Sequence, residues 1–140
     1  MWGNDFSVAR LGQGAFRIAL EAVYSKLTGK DLHALTFGKP ELSTYEYANG
    51  LLQDMLQSSD TDISQPMAPE NVWMIGDNPY SDIAGTLTFL NTGANNFGWS
   101  SALVRTGVYR DIEGPPAHKP TLIMDNVEIA VRTIMKNSWS

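Results

Sequence analysis

Apolar residues recur at helical spacing in four parts of this chain. In the first part they stand every three or four positions, and Gly29 follows as a typical helix stop. Before the last part, Asp125 and Glu128 resemble a capping box. Pro40 and Pro79 suit first helical turns, where a missing N–H costs nothing. The predicted helices cover residues 14–28, 40–56, 79–90 and 127–134.

Short uninterrupted apolar runs lie between these helices and predict strands that are buried on both faces. Polar or proline-rich stretches at residues 58–69 and 110–120 separate the elements as loops. Four aromatic residues are expected to be packing residues, namely Tyr45, Tyr47, Trp73 and Trp99. The predicted strands are residues 34–37, 72–75, 102–104 and 122–124. Strands that alternate with helices indicate an α/β fold with parallel strands.

Composition narrows the classes of function. The 140 residues suit one domain, and 43% hydrophobic residues can supply its core. A net charge of −5 argues against broad binding to nucleic acid or to an anionic membrane, because such contacts need clustered Lys and Arg. No apolar run reaches the roughly 20 residues that span a bilayer. With no cysteine and two isolated histidines, His33 and His118, neither thiol chemistry nor a histidine metal cage is expected.

Two short motifs are the strongest candidates for a site. Gly38-Lys39-Pro40 and Gly76-Asp77-Asn78 each stand where a predicted strand gives way to a helix. Carboxyl ends of parallel strands meet at one sheet edge, where α/β proteins bind ligands. A lysine at a helix start opposes the helix dipole and therefore suggests a bound anion. Asp77 directly follows a buried run, where a carboxylate can hold a hard cation.

A purely structural explanation competes with this one. Asn78 can cap the following helix, Pro79 suits its first position, and Asp82 is favoured near the positive end of its dipole. Other motifs are weaker still. Gly12-Gln13-Gly14 is followed by Arg17 in place of the third glycine of a dinucleotide fingerprint. The chain has no phosphate-binding P-loop sequence, no calcium-loop pattern and no G-x-S-x-G elbow.

Three segments carry a resemblance in combination: residues 38–41, residues 76–85 and residues 103–109. They resemble the C-terminal half of haloacid dehalogenase-like (HAD) hydrolases with a class IIA cap. Together with Gly12-Gln13-Gly14-Ala15-Phe16, they are most similar to the cat eye syndrome critical region protein 5 group. The resemblance covers nearly the whole chain and implies a three-layer, Rossmann-like α/β core with parallel strands and flanking helices.

The resemblance also implies residue roles. Lys39 would be catalytic and would bind phosphate, neutralising the transferred phosphoryl group and the attacking aspartate. Asp77 would be a Mg²⁺ ligand. Asp82 would be catalytic by orienting Lys39 or a metal-bound water, and Asn78 would help to bind phosphate. These roles suit phosphoryl transfer, which depends on positioning and charge neutralisation.

One departure from the family pattern is large. HAD hydrolases begin with a strand that ends in Asp-x-Asp, which supplies the nucleophile, and continue into the cap. This chain has neither, because Asp5 stands alone and Asp60-Thr61-Asp62 follows no apolar run. Residues 1–140 are therefore expected to form a single-domain fragment of a HAD core that lacks the N-terminal strand and the cap. We expect it to be inactive by itself.

The missing strand predicts an exposed apolar sheet edge that needs a complement. The expected partners are an N-terminal fragment of the same parent protein, or a second copy joined through that edge, together with a small phosphorylated substrate. Neither nucleic acid nor membrane is expected as a partner. The expected location is intracellular and soluble, and the resemblance admits mitochondria. Two alternatives stay open: a non-catalytic interaction module with a phosphatase-like half fold, and a flavodoxin-like binding domain.

Overall fold

The computed structural model describes residues 11–58, 71–93 and 97–138. The chain divides into two compact units, Met1–Thr36 and Phe37–Ser140. The described part of the first unit contains helix α1, Gln13–Thr28, which confirms the predicted helix. Gly29 ends it with a φ of 70°, in the left-handed region that glycine adopts without strain. No helix in the described part of the chain is long and apolar enough to cross a membrane.

The strand predicted at residues 34–37 is wrong. These residues form no regular structure, and the side chains of Leu35 and Phe37 are 90% and 83% exposed. A strand is stabilised by pairing in a sheet and by burial of a face, and in the described part of the chain the sheet consists of three other strands. Lys39 consequently follows an irregular segment and lies in a turn, and Pro40 precedes the next helix instead of starting it.

The second unit is built on a parallel sheet of three strands in the order β1–β2–β3. Asn71 pairs with Gly98 and Ala102 pairs with Leu122, so the strands run in register towards one carboxyl edge. The elements of this unit are α2 (Leu42–Gln57), β1 (Asn71–Gly76), a π-helical turn (Pro79–Ile83), α3 (Ala84–Asn91), β2 (Gly98–Val104), a 3-10 turn (Asp111–Glu113), β3 (Leu122–Met124) and α4 (Val127–Ser138).

Helices cover both faces of this sheet. On one face, Tyr45 from α2 and Phe89 from α3 pack around Trp99 of β2, with ring centroids 5.3 to 6.2 Å apart. On the other face, Ala130 from α4 packs against Ala102 and the neighbouring alternate residues of the sheet. The α/β fold with parallel strands and flanking helices is thus confirmed.

Three details differ from the sequence predictions. Tyr47 is 70% exposed, on the opposite side of α2 from the core, so its predicted packing role is wrong. Strand β2 begins at Gly98, earlier than expected. The cap of α4 is Asn126, whose Oδ1 accepts from Ile129 N at 3.0 Å, so the predicted capping role of Asp125 is wrong. The predicted loop at residues 58–69 lies almost wholly outside the described residues.

The outer edge of β1 has no partner strand among the described residues. Within the described ranges β1 pairs only with β2, and its apolar residues Val72, Trp73, Met74 and Ile75 are half-buried. The last four residues of β2, which has neighbours on both sides, are buried. A strand that is paired along only one edge leaves the backbone donors and acceptors of its other edge without partners in the sheet.

Candidate functional site

Polar residues follow each of the three strands at the carboxyl edge of the sheet. Asp77 and Asn78 follow β1, Arg105 follows β2, and Asp125 follows β3. The strands are parallel, so these residues lie at the same edge. This edge of the second unit is the candidate site.

The π-helical turn after β1 is capped as the sequence predicted. Asn78 Oδ1 accepts a hydrogen bond from Tyr80 N at 2.9 Å, and Pro79 occupies the first position, where its missing N–H costs nothing. The capping explanation for Asn78 is therefore confirmed. Its backbone N–H also has a partner at the site, since it donates to Asp82 Oδ2 at 3.0 Å.

Asp82 is a buried carboxylate, with 2% of its surface exposed. Its Oδ1 pairs with Lys39 Nζ at 2.5 Å, while Oδ2 accepts from the Asn78 N–H. Gly76 lies against the same carboxylate, and a Cβ at this position would overlap it. Both oxygens of Asp82 thus have a partner, and the side chain of Lys39 is 45% exposed above the pair. The buried carboxylate of Asp82 thus fixes the partly exposed ammonium group of Lys39 at the surface of the site.

Helix α2 brings Lys39 to this carboxylate. Tyr45, buried on α2, has its hydroxyl 3.2 Å from Ser81 O and 3.0 Å from Asp82 O, as a donor to the backbone of the π-helical turn. Burial raises the pKa of this hydroxyl, so it keeps its proton. Gly38, with a φ of 109° that favours glycine, donates its N–H to Thr44 Oγ1 at 3.1 Å and so ties the Lys39 turn to the helix. Sequence reasoning missed the anchoring role of Tyr45.

Asp77 lies beside this network, and its carboxylate faces a different loop. Its Oδ2 accepts from Val108 N at 2.7 Å, and its backbone oxygen accepts from Tyr109 N at 2.9 Å. A Cβ at Gly107 would overlap the carboxylate, so glycine permits this close approach. No donor to Asp77 Oδ1 exists among the described residues. A half-buried carboxylate with one oxygen fixed and one free can ligate a cation.

Arg105 connects the ends of β2 and β3. Its Nε donates to Asp111 Oδ2 at 2.7 Å, and its Nη1 donates to Asp125 Oδ1 at 2.9 Å. The hydrogen bond from Arg105 lowers the pKa of Asp111, and the same bond raises the pKa of Arg105. Sequence reasoning also missed this cluster, although charged residues directly after two parallel strands were a usable signal.

The donor set fits Mg²⁺ in part. Among the residues that the structure describes, no three acidic or histidine side chains are grouped as a metal cluster. Mg²⁺ usually keeps several waters and takes one or two carboxylates together with substrate phosphate oxygens, and Asp77 offers one such carboxylate. Asp82 would have to give up Lys39 or the Asn78 N–H to act as a second ligand.

The predicted residues therefore form two adjacent groups. Lys39, Asn78 and Asp82 share one hydrogen-bonded network, while Asp77 is held separately by the loop after β2. The two groups meet at residues 76–78, where β1 ends. The acidic residues that sequence analysis set aside, Asp5 and Asp60–Asp62, lie outside the described residues.

Comparison with known proteins gives a consistent result. A family model described as HAD-hydrolase-like matches residues 36–130. The chain is 42% identical over 132 residues to the "Cardiolipin synthase (CMP-forming) / mitochondrial hydrolase fusion protein" of Schizosaccharomyces pombe. It is 37% identical over 145 residues to the "Mitochondrial hydrolase YKR070W" of Saccharomyces cerevisiae. Each match covers 94% of this chain, which spans 20% and 39% of the lengths of these relatives.

Proposed function

Because this chain belongs to the HAD-like hydrolase family, we propose that it is part of a Mg²⁺-dependent phosphohydrolase that acts on a small phosphate ester. The observation that supports this most is the contact between exposed Lys39 and buried Asp82, next to a carboxylate with a free oxygen at Asp77. A fixed cation and a cation ligand at one sheet edge are two of the features on which phosphoryl transfer depends, because both neutralise charge on the transferred group.

The residues of this chain would act through charge and position. Lys39 would bind the phosphoryl oxygens, with Asp82 fixing its position and Asn78 holding Asp82 in place. Asp77 would hold Mg²⁺, which, when bound, neutralises negative charge on the phosphoryl group. Because Lys39 is already paired in this structure, little side-chain entropy remains to be lost when substrate binds.

The attacking group belongs to another part of the protein in this proposal. An aspartate carboxylate would form a bond to phosphorus while the bond to the ester oxygen breaks, and this oxygen would take a proton from a general acid in the same other part of the protein. Water would then attack phosphorus, release phosphate and restore the aspartate carboxylate. The open edge of β1 supports a complement there, either another segment of the same parent protein or a second copy of this chain. The names of the two relatives support a mitochondrial location.

The test is a phosphatase assay with Mg²⁺ on this chain together with the complement that supplies the attacking aspartate. The substrate is a small aryl phosphate. Lys39→Ala and Asp77→Ala should each lower kcat/KM by at least about a hundredfold, the loss typical when a transition-state charge contact is removed. Lys30→Ala and Asp31→Ala, exposed residues of the first unit, are the matched controls and should leave activity unchanged. Full activity in both site variants would contradict the proposal, and an inactive wild-type protein would favour the non-catalytic interaction module.

A further inference from the structure

The loop after β2 is closed by its own charged residues. Arg105 begins the loop, and Asp111, six residues later, accepts from its guanidinium Nε. The second arm of the guanidinium reaches Asp125 at the end of β3, and the Arg105 N–H donates to Met124 O at 3.1 Å. One side chain therefore joins both ends of the loop to the sheet.

Tyr109 gives this loop an anchor in the core. Its ring is buried and packs with Ile83 and Leu103, while its hydroxyl donates to Asp111 Oδ1 at 3.1 Å. The two oxygens of Asp111 are thus bound from two sides, by Arg105 and by Tyr109. Between Arg105 and the buried Tyr109, residues 106–108 are exposed, and Val108 of this segment carries the N–H that reaches Asp77.

The free oxygen of Asp77 depends on that N–H. With Val108 N bound to Oδ2 at 2.7 Å, the carboxylate cannot rotate without breaking the bond, and Oδ1 stays available. Gly107 lets the backbone come close enough, but glycine also makes residues 106–108 more mobile unless their ends are held. Hydrogen bonds that orient a ligand commonly affect metal affinity by about 10- to 100-fold.

We propose that Arg105 is a positioning residue, which bridges Asp111 and Asp125 so that the Val108 N–H fixes one oxygen of Asp77 and leaves the other for a divalent cation. This inference rests on the proposed Mg²⁺-binding role of Asp77. Surface ion pairs stabilise a fold little, so the effect of Arg105 is expected in the loop and at the metal. The free energy of global unfolding should change little.

The test compares Arg105→Gln with Arg132→Gln in this chain together with its proposed complement. Arg132 forms an exposed ion pair with Glu128 on α4, so its replacement removes the same charge and an ion pair away from the loop. Two quantities are measured: the Kd for Mg²⁺ alone by calorimetry, and hydrogen exchange of the Val108 amide in metal-free protein. Arg105→Gln should raise the Kd about tenfold and speed this exchange by a similar factor. Arg132→Gln should change neither.

Asp77→Asn separates failure of the inference from failure of the proposed function. If the wild-type protein binds Mg²⁺ and Asp77→Asn abolishes binding, but Arg105→Gln alters neither Kd nor amide exchange, the positioning role alone is wrong. If Asp77→Asn leaves the Kd unchanged, the metal role of Asp77 is wrong, and the inference falls with it. Asp111→Asn removes the charge at the far end of the loop. This second variant serves as the test if Arg105→Gln does not fold. Asp111→Asn should also raise the Kd for Mg²⁺ and speed exchange of the Val108 amide. If it changes neither quantity, the inference is overturned.

Discussion

The pair formed by Lys39 and Asp82 predicts an unequal response to loss of either partner. Lys39→Met leaves a carboxylate that is 2% exposed with the Asn78 N–H as its remaining partner. Asp82→Asn leaves an ammonium group on a side chain that is 45% exposed, and water can solvate that group. The first change should therefore cost more stability than the second. The double variant should be more stable than Lys39→Met alone, because it removes the uncompensated buried charge.

The magnitude follows from distance and burial. At 2.5 Å, opposite unit charges attract by about 7 kcal/mol at an effective dielectric constant of about 20. Desolvation of the carboxylate offsets several kcal/mol of this, and solvent screens the exposed lysine. We expect Lys39→Met to lower the free energy of unfolding by about 3 kcal/mol and Asp82→Asn by about 1 kcal/mol. The coupling energy should be on the order of 2 kcal/mol.

The assay is urea unfolding followed by tryptophan fluorescence, because Trp99 is buried in the aromatic core and reports its loss. The matched control is the cycle of Arg132→Gln and Glu128→Gln. That pair is also ionic but is 77% and 70% exposed, so its coupling should stay near 0.3 to 0.5 kcal/mol. The reasoning is refuted if Asp82→Asn restores none of the stability lost in Lys39→Met, or if the two cycles give equal coupling energies.

Two further predictions concern the supporting structure. Tyr45→Phe removes a buried hydroxyl that donates to the π-helical turn and should lower the free energy of unfolding by about 1 kcal/mol, whereas Tyr47→Phe, at an exposed position on the same helix, should have no measurable effect. The pKa of Asp111 is lowered below its ordinary value of 3.8 by the hydrogen bond from Arg105, so its stabilising contribution is complete above that pH and is lost as the pH falls through the folded-state pKa. Unfolding measured from pH 5 down to pH 2 should show a shallower acid decline in Asp111→Asn than in the wild type, and equal slopes would contradict this.

The local parts of this structure could be predicted from sequence. The apolar run before Gly76 predicts β1, and Asn78 with Pro79 predicts the start of the following helix, because caps and strand runs depend on neighbouring residues. The placement of Asp77 at the sheet edge follows from these two elements. The roles of Lys39, Asn78 and Asp82 in phosphate chemistry stay predictions, to be tested by the variants above.

The remaining parts depend on residues distant in sequence. The apolar run at residues 34–37 has the composition of a strand but forms none, because strand formation depends on pairing with distant residues, which composition does not reveal. The contact from Tyr45 to the π-helical turn joins residues 36 and 37 positions apart, which no local pattern reveals. Asp125 was expected to cap α4, yet it pairs with Arg105, 20 residues earlier, and Asn126 serves as the cap.

The geometry of Asp82 separates two tasks at the site. A carboxylate whose two oxygens already bind an ammonium group and a backbone N–H is poorly suited to ligate a cation, because each bond it gave up would leave a buried charge less compensated. Asp77 has the opposite arrangement, with one oxygen fixed by Val108 and the other without a donor in the described ranges. Two aspartates five residues apart can therefore pair with different positive charges. Asp82 stabilises the ammonium group of Lys39, which belongs to this chain, and Asp77 is suited to a cation bound from solution.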